Sequence, residues 1–505
     1  MCEFYQKNGQ CVSFYVITKW MKNPLDYIKF STEHQPRAHV NAYVRLHHPF
    51  TQEERLRAAE KAGWNVFQFP SEMLQGGDLL SDSGTTAMTV EQLSALILGD
   101  EAYGSNWGYF QLLEQFSQTF GIALPDWEIF LFHQGRAAEH ALFSRLTGEH
   151  LVVPSNSFFD TTRANAEANR IEALDLVDRS FDKDTTAPFK GNIDLEKLEV
   201  LLRERGEDIP FVHMTITNNT GGGQPVSLAN LKATKELAKK HGKPFFLDAC
   251  RFAENAWFIK KREKGYEKKS IADIVREEFA LADGFIISLK KDGLANIGGV
   301  LAIKKGTTLE KQYPGILEAL RDHQILTEGH PTYGGLSGRD IMTIVEGLRT
   351  VVKEEYLAGR IGLVQDFGAY MSGLGIPLVL PFGGHAVYID IDKFFEGTRM
   401  TRGDFGGITL TALLLLKGVR LCELGAFAFG RYNPKTKTEK FPLRNYVRAA
   451  VPRNKYERDD LYYVADCVKG LYDLRNSLPR AVPIEGRYKT LRHFKARFAL
   501  ENLSP

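Results

Sequence analysis

The sequence predicts an α/β fold built on a doubly wound, mostly parallel sheet, joined to a smaller α+β domain. Three observations carry this expectation. From about Thr89 to Glu346, short apolar or β-branched runs alternate with charged amphipathic segments, the βαβ rhythm of a sheet covered by helices on both faces. The chain has 505 residues, 43% of them hydrophobic. It is longer than the roughly 250–300 residues at which single cores stop growing, so two domains are expected. Two of the apolar runs, PFFLDACR and GFIISLKK, stop on polar residues that include Asp248 and Lys291. In a parallel sheet such residues converge in the crevice beyond the carboxyl ends of the strands.

Taken in order, residues 1–34 form an extension outside this rhythm. Its apolar patch, CVSFYVI, is too short to span a bilayer and is followed by lysines rather than by a small-residue cleavage site, so neither a signal peptide nor a membrane segment is read there. Residues 35–88 do not fit the βαβ pattern and are expected to pack with the C-terminal part. In the large domain, residues 89–346, the runs WEIFLF, HLVVPS, PFVHMTIT, PFFLDA, GFIISL and GGVLAI read as strands buried on both faces. SLANLKATKELAKKHG starts on Ser227 and ends at Gly242 with lysines in its last turns, as a helix should. After Gly334-Gly335 one long helical stretch leads into HAVYIDIDKF, LTALLLLKG and LRNYVRAAVP. Residues 347–505, with 35–88, are read as the small α+β domain.

Charge and cysteine content narrow the function. Lys and Arg number 64 against 62 Asp and Glu, with no long block of one sign. That balance provides no electrostatic footprint for nucleic acid or an acidic membrane, and a small molecule is the expected partner. The five cysteines, Cys2, Cys11, Cys250, Cys422 and Cys467, form no CxxC pair and no even framework, which fits a reducing, cytoplasmic compartment. HExxH, GxSxG and metal-ligand spacings are missing.

A lysine that forms a Schiff base and an aspartate that holds a pyridinium nitrogen are what pyridoxal 5'-phosphate requires. Lys291 and Asp248 are of those types, although two adjacent lysines also read as solvated loop residues, and an aspartate after a strand often caps the next helix. In HQGRAAEH, the strand hands over through Gln134-Gly135-Arg136 to a helix whose amides, dipole and arginine favour a phosphate dianion; an ordinary strand-to-helix turn has the same outline. TGGGQPVS is glycine-rich but has neither Walker nor dinucleotide spacing. Tyr103 reads as a buried structural tyrosine or a proton donor, and His493 as a packing residue. Arg448 reads as the partner of an acid or as a bidentate grip on a substrate carboxylate.

Together, GDEAY, HQGR, SNSFFDTT, GGQPVSLANLKA, RFAENAWFIK, KKD followed by IGG, PTYGGLSGRD, FGGHAVYID and TLRHFKARF resemble the aromatic amino-acid β-eliminating lyases, the tryptophanases and tyrosine phenol-lyases. The resemblance covers roughly residues 35 to 500 and is closer to the tryptophanases. It implies an aspartate-aminotransferase-like, fold type I pyridoxal-phosphate enzyme. Lys291 would be the Schiff-base lysine, with Lys290 and Ser288 beside the cofactor. Gln134, Gly135 and Arg136 would hold its phosphate, Asp248 its ring nitrogen, Arg251 and Asn219 the ring side, and Phe159 the ring face. Arg448, with Ser81 and Asn219, would bind the substrate carboxylate, and Phe67 would belong to the substrate site. The freed Lys291 amine would take the α-proton, and Tyr103 would belong to the acid network that protonates the leaving carbon. Glu101 and the backbone carbonyls of Gly84 and Asn296 would ligate a potassium-type cation in a homotetramer whose neighbouring subunits complete each site.

Three positions bear on the substrate. Tyrosine phenol-lyases carry an arginine where this chain has Leu424, whereas Asp160 after the stacking phenylalanine and His493 match the tryptophanases. The expected reaction is therefore β-elimination of L-tryptophan to indole, pyruvate and ammonia. Tyrosine or another β-substituted alanine is the alternative, and a fold type I aminotransferase or aldolase is a more distant one. Ala137, Cys250, Ala449-Ala450 and Gly76-Gly77 depart from the family pattern near these contacts.

Overall fold

The computed structural model describes residues 45–180, 182–488 and 491–503. The expected 1–34 extension, with Cys2 and Cys11, lies outside the described residues.

The main sheet has seven strands: β1 (Trp127–Phe132), β2 (Val152–Ser155), β3 (Glu172–Asp175), β4 (Val212–Thr215), β5 (Phe245–Asp248), β6 (Gly284–Ser288) and β7 (Gly299–Lys304). Their spatial order is β1-β7-β6-β5-β4-β2-β3. Every pairing is parallel except the two made by β7, which runs against both β1 and β6.

Alternation along the strands divides the core between the two faces. Ile129 and Leu131 of β1, Phe245 and Leu247 of β5, Phe285 and Ile287 of β6 and Val300 and Ala302 of β7 enter one cluster. The residues between them, Phe130, Phe246, Ile286 and Leu301, enter another. A strand apolar on both faces needs helices above and below, which is the doubly wound arrangement.

A three-stranded antiparallel sheet follows, of β8 (Ala386–Asp390), β9 (Cys422–Leu424) and β10 (Tyr446–Ala450), with β10 in the middle. Its apolar side chains, including Val387, Ile389, Val447 and Ala449, form a further core with the helices Glu354–Gly373 and Arg458–Asp473. Leu79 joins that core.

Three details differ from expectation. β3, of sequence EALD, has an exposed, polar-rich pattern and sits on the sheet edge, so a search for apolar runs passes over it. The single long helix expected after Gly334-Gly335 is two, Gly338–Val351 and Glu354–Gly373, because Lys353 takes an extended backbone and starts the second. The Ser227 helix spans Leu228–Lys240, and Ser227 caps it by accepting from the Asn230 amide.

Candidate active site

The carboxyl ends of β5 and β6 and the segment after β1 supply one end of a pocket. Asp248 closes β5 and Ser288 closes β6, with Lys290 and Lys291 in the turn that follows. Helix α1 (Gly135–Phe143) begins immediately after β1, with Gln134 as an N-cap that makes no side-chain capping bond. Gly135 is required there, since a Cβ would stand 2.7 Å from that of Ser288. The helix end therefore packs directly on the end of β6, with Arg136, Lys290 and Lys291 on the pocket wall. Burial lowers the pKa of Lys290, and the neighbouring Lys291 and Arg136 charges lower it further. A phosphate dianion relieves just such a crowd of like charges beside a helix N-terminus.

Asp248 is 6% exposed. Neither it nor Lys290 nor Lys291 enters an ion pair among the described residues. A buried carboxylate without a cation is costly, and a pyridinium N–H is the partner it calls for. The donor set thus fits pyridoxal phosphate. Phe159, Asn219 and Arg251 line the same cavity. Arg251 is gripped by Asp82, with Nε to Oδ2 at 3.0 Å and Nη2 to Oδ1 at 2.8 Å. Arg453, fully buried, holds Asp82 in turn and also pairs with Glu254 and Asp292. Removing one member of so buried a network costs about 3–5 kcal/mol.

The other end of the pocket comes from β9, β10 and the chain termini of the described region. Arg448, on β10 opposite Cys422, donates from Nη1 to Asn219 Oδ1 at 3.2 Å and from Nη2 to the Leu80 carbonyl at 2.9 Å. Its Nε has no hydrogen-bond partner among the described residues. The Tyr388 hydroxyl donates to the same Asn219 Oδ1 at 2.6 Å, which leaves the amide nitrogen as that side chain's free donor. Ser81 lies on the wall beside these groups. Asp160 opens helix α2 (Asp160–Ala168), and its Oδ2 is 3.1 Å from His493 Nε2. The Phe67 ring meets His493 edge-on, with centroids 5.6 Å apart. Leu424, buried against Cys422 and flanked by Leu80, contributes an apolar wall.

Every cofactor-binding and substrate-binding residue expected from the sequence therefore lines one pocket. Tyr103 and the cation candidates do not. Tyr103 is 75% exposed on the single chain and rests against the rings of His330 and Tyr333. A hydrogen bond with Tyr333 raises the pKa of its phenol. Asn296 Nδ2 donates to the Gly84 carbonyl at 3.2 Å, so those two positions meet, whereas Glu101 pairs with Arg339 at 2.7 Å.

The sequence reading missed Glu139. It lies one helical turn beyond Gly135, a spacing that puts both on one face of α1, and that spacing was the available signal. Burial, and then the nearby Asp248 charge, push its carboxyl up to about 7. It accepts from Thr162 Oγ1 at 2.8 Å and Asn165 Nδ2 at 3.2 Å.

Residues 78–467 match the model of the beta-eliminating lyases. A tryptophanase from Hyphomonas neptunium is 43% identical over 450 residues, 89% of this chain and 95% of its own length. A tyrosine phenol-lyase from Symbiobacterium thermophilum is 38% identical over 451 residues, with coverages of 89% and 95%. Among solved structures, a serine palmitoyltransferase from S. paucimobilis superposes with a TM-score of 0.52 at 12% identity, over 79% of this chain and 87% of that one, a likeness of fold alone. Together with the doubly wound fold and a pocket whose donor set fits the cofactor, these matches place the chain in the β-eliminating lyase family, as a pyridoxal-phosphate-dependent lyase.

Proposed function

We propose that this lyase cleaves the Cβ–Cγ bond of L-tryptophan, giving indole, pyruvate and ammonia. The observation that carries the reading is the Asp160–His493 pair, 3.1 Å apart, in the same pocket as Leu424. An indole N–H is only a donor, and a carboxylate accepts from it. A leucine can neither ionise nor hydrogen-bond a phenol. Pyridoxal phosphate, when bound, supplies the electron sink for the α-carbanion.

The chain's own residues would do the rest. Asp248 would hold the ring nitrogen's proton, Gln134, Gly135 and Arg136 would hold the phosphate with Ser288 and Lys290 beside it, and Phe159 would belong to the ring's surroundings. Arg448, Asn219 and Ser81 fix the substrate carboxylate, and the Lys291 amine removes the α-proton. Tyr103 protonates the leaving carbon and is delivered by a second copy of the chain. The exposure of Tyr103 supports that reading, as do the exposed apolar residues near it in sequence, Ile97, Leu98, Trp107 and Phe110. The same boundary would carry a potassium ion on Glu101, Gly84 and Asn296 within a cytoplasmic homotetramer. No helix among the described residues is long and apolar enough to cross a membrane.

The test is product release from tryptophan and from tyrosine by the purified enzyme, with potassium and then with sodium. Indole from tryptophan should outpace phenol from tyrosine, and potassium should support the faster rate. Faster phenol release would overturn the tryptophan assignment in favour of tyrosine.

A further inference from the structure

Cys250 stands between the parts of the cofactor end and touches three of them. Its Sγ–H donates to Asp248 Oδ1 at 3.0 Å, and its sulfur accepts the Ser288 amide at 3.1 Å. Its backbone carbonyl accepts the amide of Asp292, the residue after Lys291, at 3.2 Å. Among the described residues no other side chain donates a hydrogen bond to the Asp248 carboxylate.

We propose that Cys250 is a positioning residue for the cofactor's ring nitrogen, fixing the Asp248 carboxylate and tying it to the strand end that bears Ser288 and to the lysine turn. A carboxylate at the end of a side chain rotates freely unless something holds one oxygen. With Oδ1 engaged by the thiol, Oδ2 is left to face the pyridinium N–H. The sulfur accepts from the Ser288 amide at the end of β6 while donating to Asp248 at the end of β5, so one atom ties the carboxylate to the neighbouring strand end.

The thiol serves as a donor because it stays protonated. Burial and the adjacent Asp248 charge both raise its pKa far above neutrality. A weak S–H donor also withdraws less from the carboxylate than a hydroxyl would, which leaves Asp248 a stronger acceptor for the ring proton. The titratable and charged groups around this unit are Asp248, Glu139 and Lys291 on the pocket wall and His213 behind Asp248. Burial lowers the His213 pKa to about 4, which keeps that ring uncharged at neutral pH.

This inference rests on the bound cofactor and not on the choice of aromatic substrate, so its test avoids turnover. Holoenzyme variants Cys250→Ala, Cys250→Val and Cys250→Ser would be compared with the parent in two ways: the cofactor dissociation constant, and the pH midpoint of the visible absorbance of the bound cofactor. Losing a hydrogen bond to a charged group should weaken cofactor retention about tenfold or more in Cys250→Ala and move the midpoint. Cys250→Val, which keeps the volume but not the donor, should behave like Cys250→Ala. Cys250→Ser should recover retention to within about threefold, because a hydroxyl restores the donor. The proposal fails if Cys250→Val retains the cofactor and its midpoint like the parent. It also fails if Cys250→Ser is as poor as Cys250→Ala, for then packing and not the hydrogen bond would be at work.

Discussion

The cofactor end of the pocket and the stretch from Glu101 to Tyr103 are built in opposite ways. Asp248, Arg251 and Ser288 sit within the core, each at most 6% exposed, and Asp248 and Arg251 have side-chain hydrogen-bond partners from the same chain. Tyr103 stands in the open, with exposed apolar residues near it in sequence, and Glu101 pairs with the surface residue Arg339. One chain thus finishes the groups that must be held rigid around a ring and a phosphate. It leaves unfinished a surface that carries two candidate functional residues. On the proposed reading, cofactor capture falls to one region and proton delivery to the other, and each can be broken separately.

The largest effect is expected at the finished end. Lys291→Ala should lower tryptophan turnover by more than about 10⁴-fold, because the imine-forming amine and the α-proton base are lost together. The variant should lack the parent's visible cofactor absorbance. If the band persists, the imine belongs to Lys290 instead.

Next comes the open end. Tyr103→Phe should reduce kcat by about 10²–10⁴-fold, the usual contribution of a positioned general acid, while leaving cofactor binding intact. Mixing this variant with Lys291→Ala under conditions that exchange subunits should restore part of the activity, since one site in the mixed assembly would contain both native residues. Complete failure to complement would show that both residues act from the same chain and would end the contrast drawn between the two regions. A smaller loss, about 10–100-fold in tryptophan turnover with an unchanged cofactor spectrum, is expected for His493→Phe. Equal losses on tryptophan and tyrosine would remove His493 from the specificity argument.

What the sequence showed of these regions follows the range of the interactions involved. Asp248 and Lys291 were legible because each closes an apolar run, and parallel strands deliver their ends to one crevice. Gln134-Gly135-Arg136 was legible because a helix start after a strand is a local event. The direction of β7 was not, for an apolar strand reads the same in either orientation. Arg453 was passed over for another reason: its partners Asp82, Glu254 and Asp292 are scattered along the chain, and nothing local marks an arginine that will be fully buried. At the other end Arg448 was open to two readings, and Asp160 and Leu424 were legible only through resemblance. Asp160 and His493 are 333 positions apart, and no spacing rule links a helix start to a turn near the C-terminus.

The smallest effects concern stability, and they separate the two regions by pH. Glu139 titrates near 7 in the folded protein, against 4.5 for an unperturbed glutamate. Between those values the folded state keeps a proton that the unfolded state releases. The contribution of Glu139 to stability is therefore most favourable below about pH 4.5, declines as pH rises to 7, and stays at the lower level above it. The full span is about 3 kcal/mol as an upper bound. Glu139→Gln cannot ionise, so the cofactor-free variant should be more stable than the parent at pH 8 by up to that amount and no more stable at pH 4.5, as read by urea denaturation at the two pH values. A gain of equal size at both pH values would mean that the carboxyl is not being forced to ionise in a buried place. Glu101→Gln is the counterpart at the open end. An exposed ion pair contributes little, so its stability should stay within about 0.5 kcal/mol of the parent at either pH. A pH-dependent change at Glu101 as large as that at Glu139 would mean that the Glu101–Tyr103 stretch is already closed in solution.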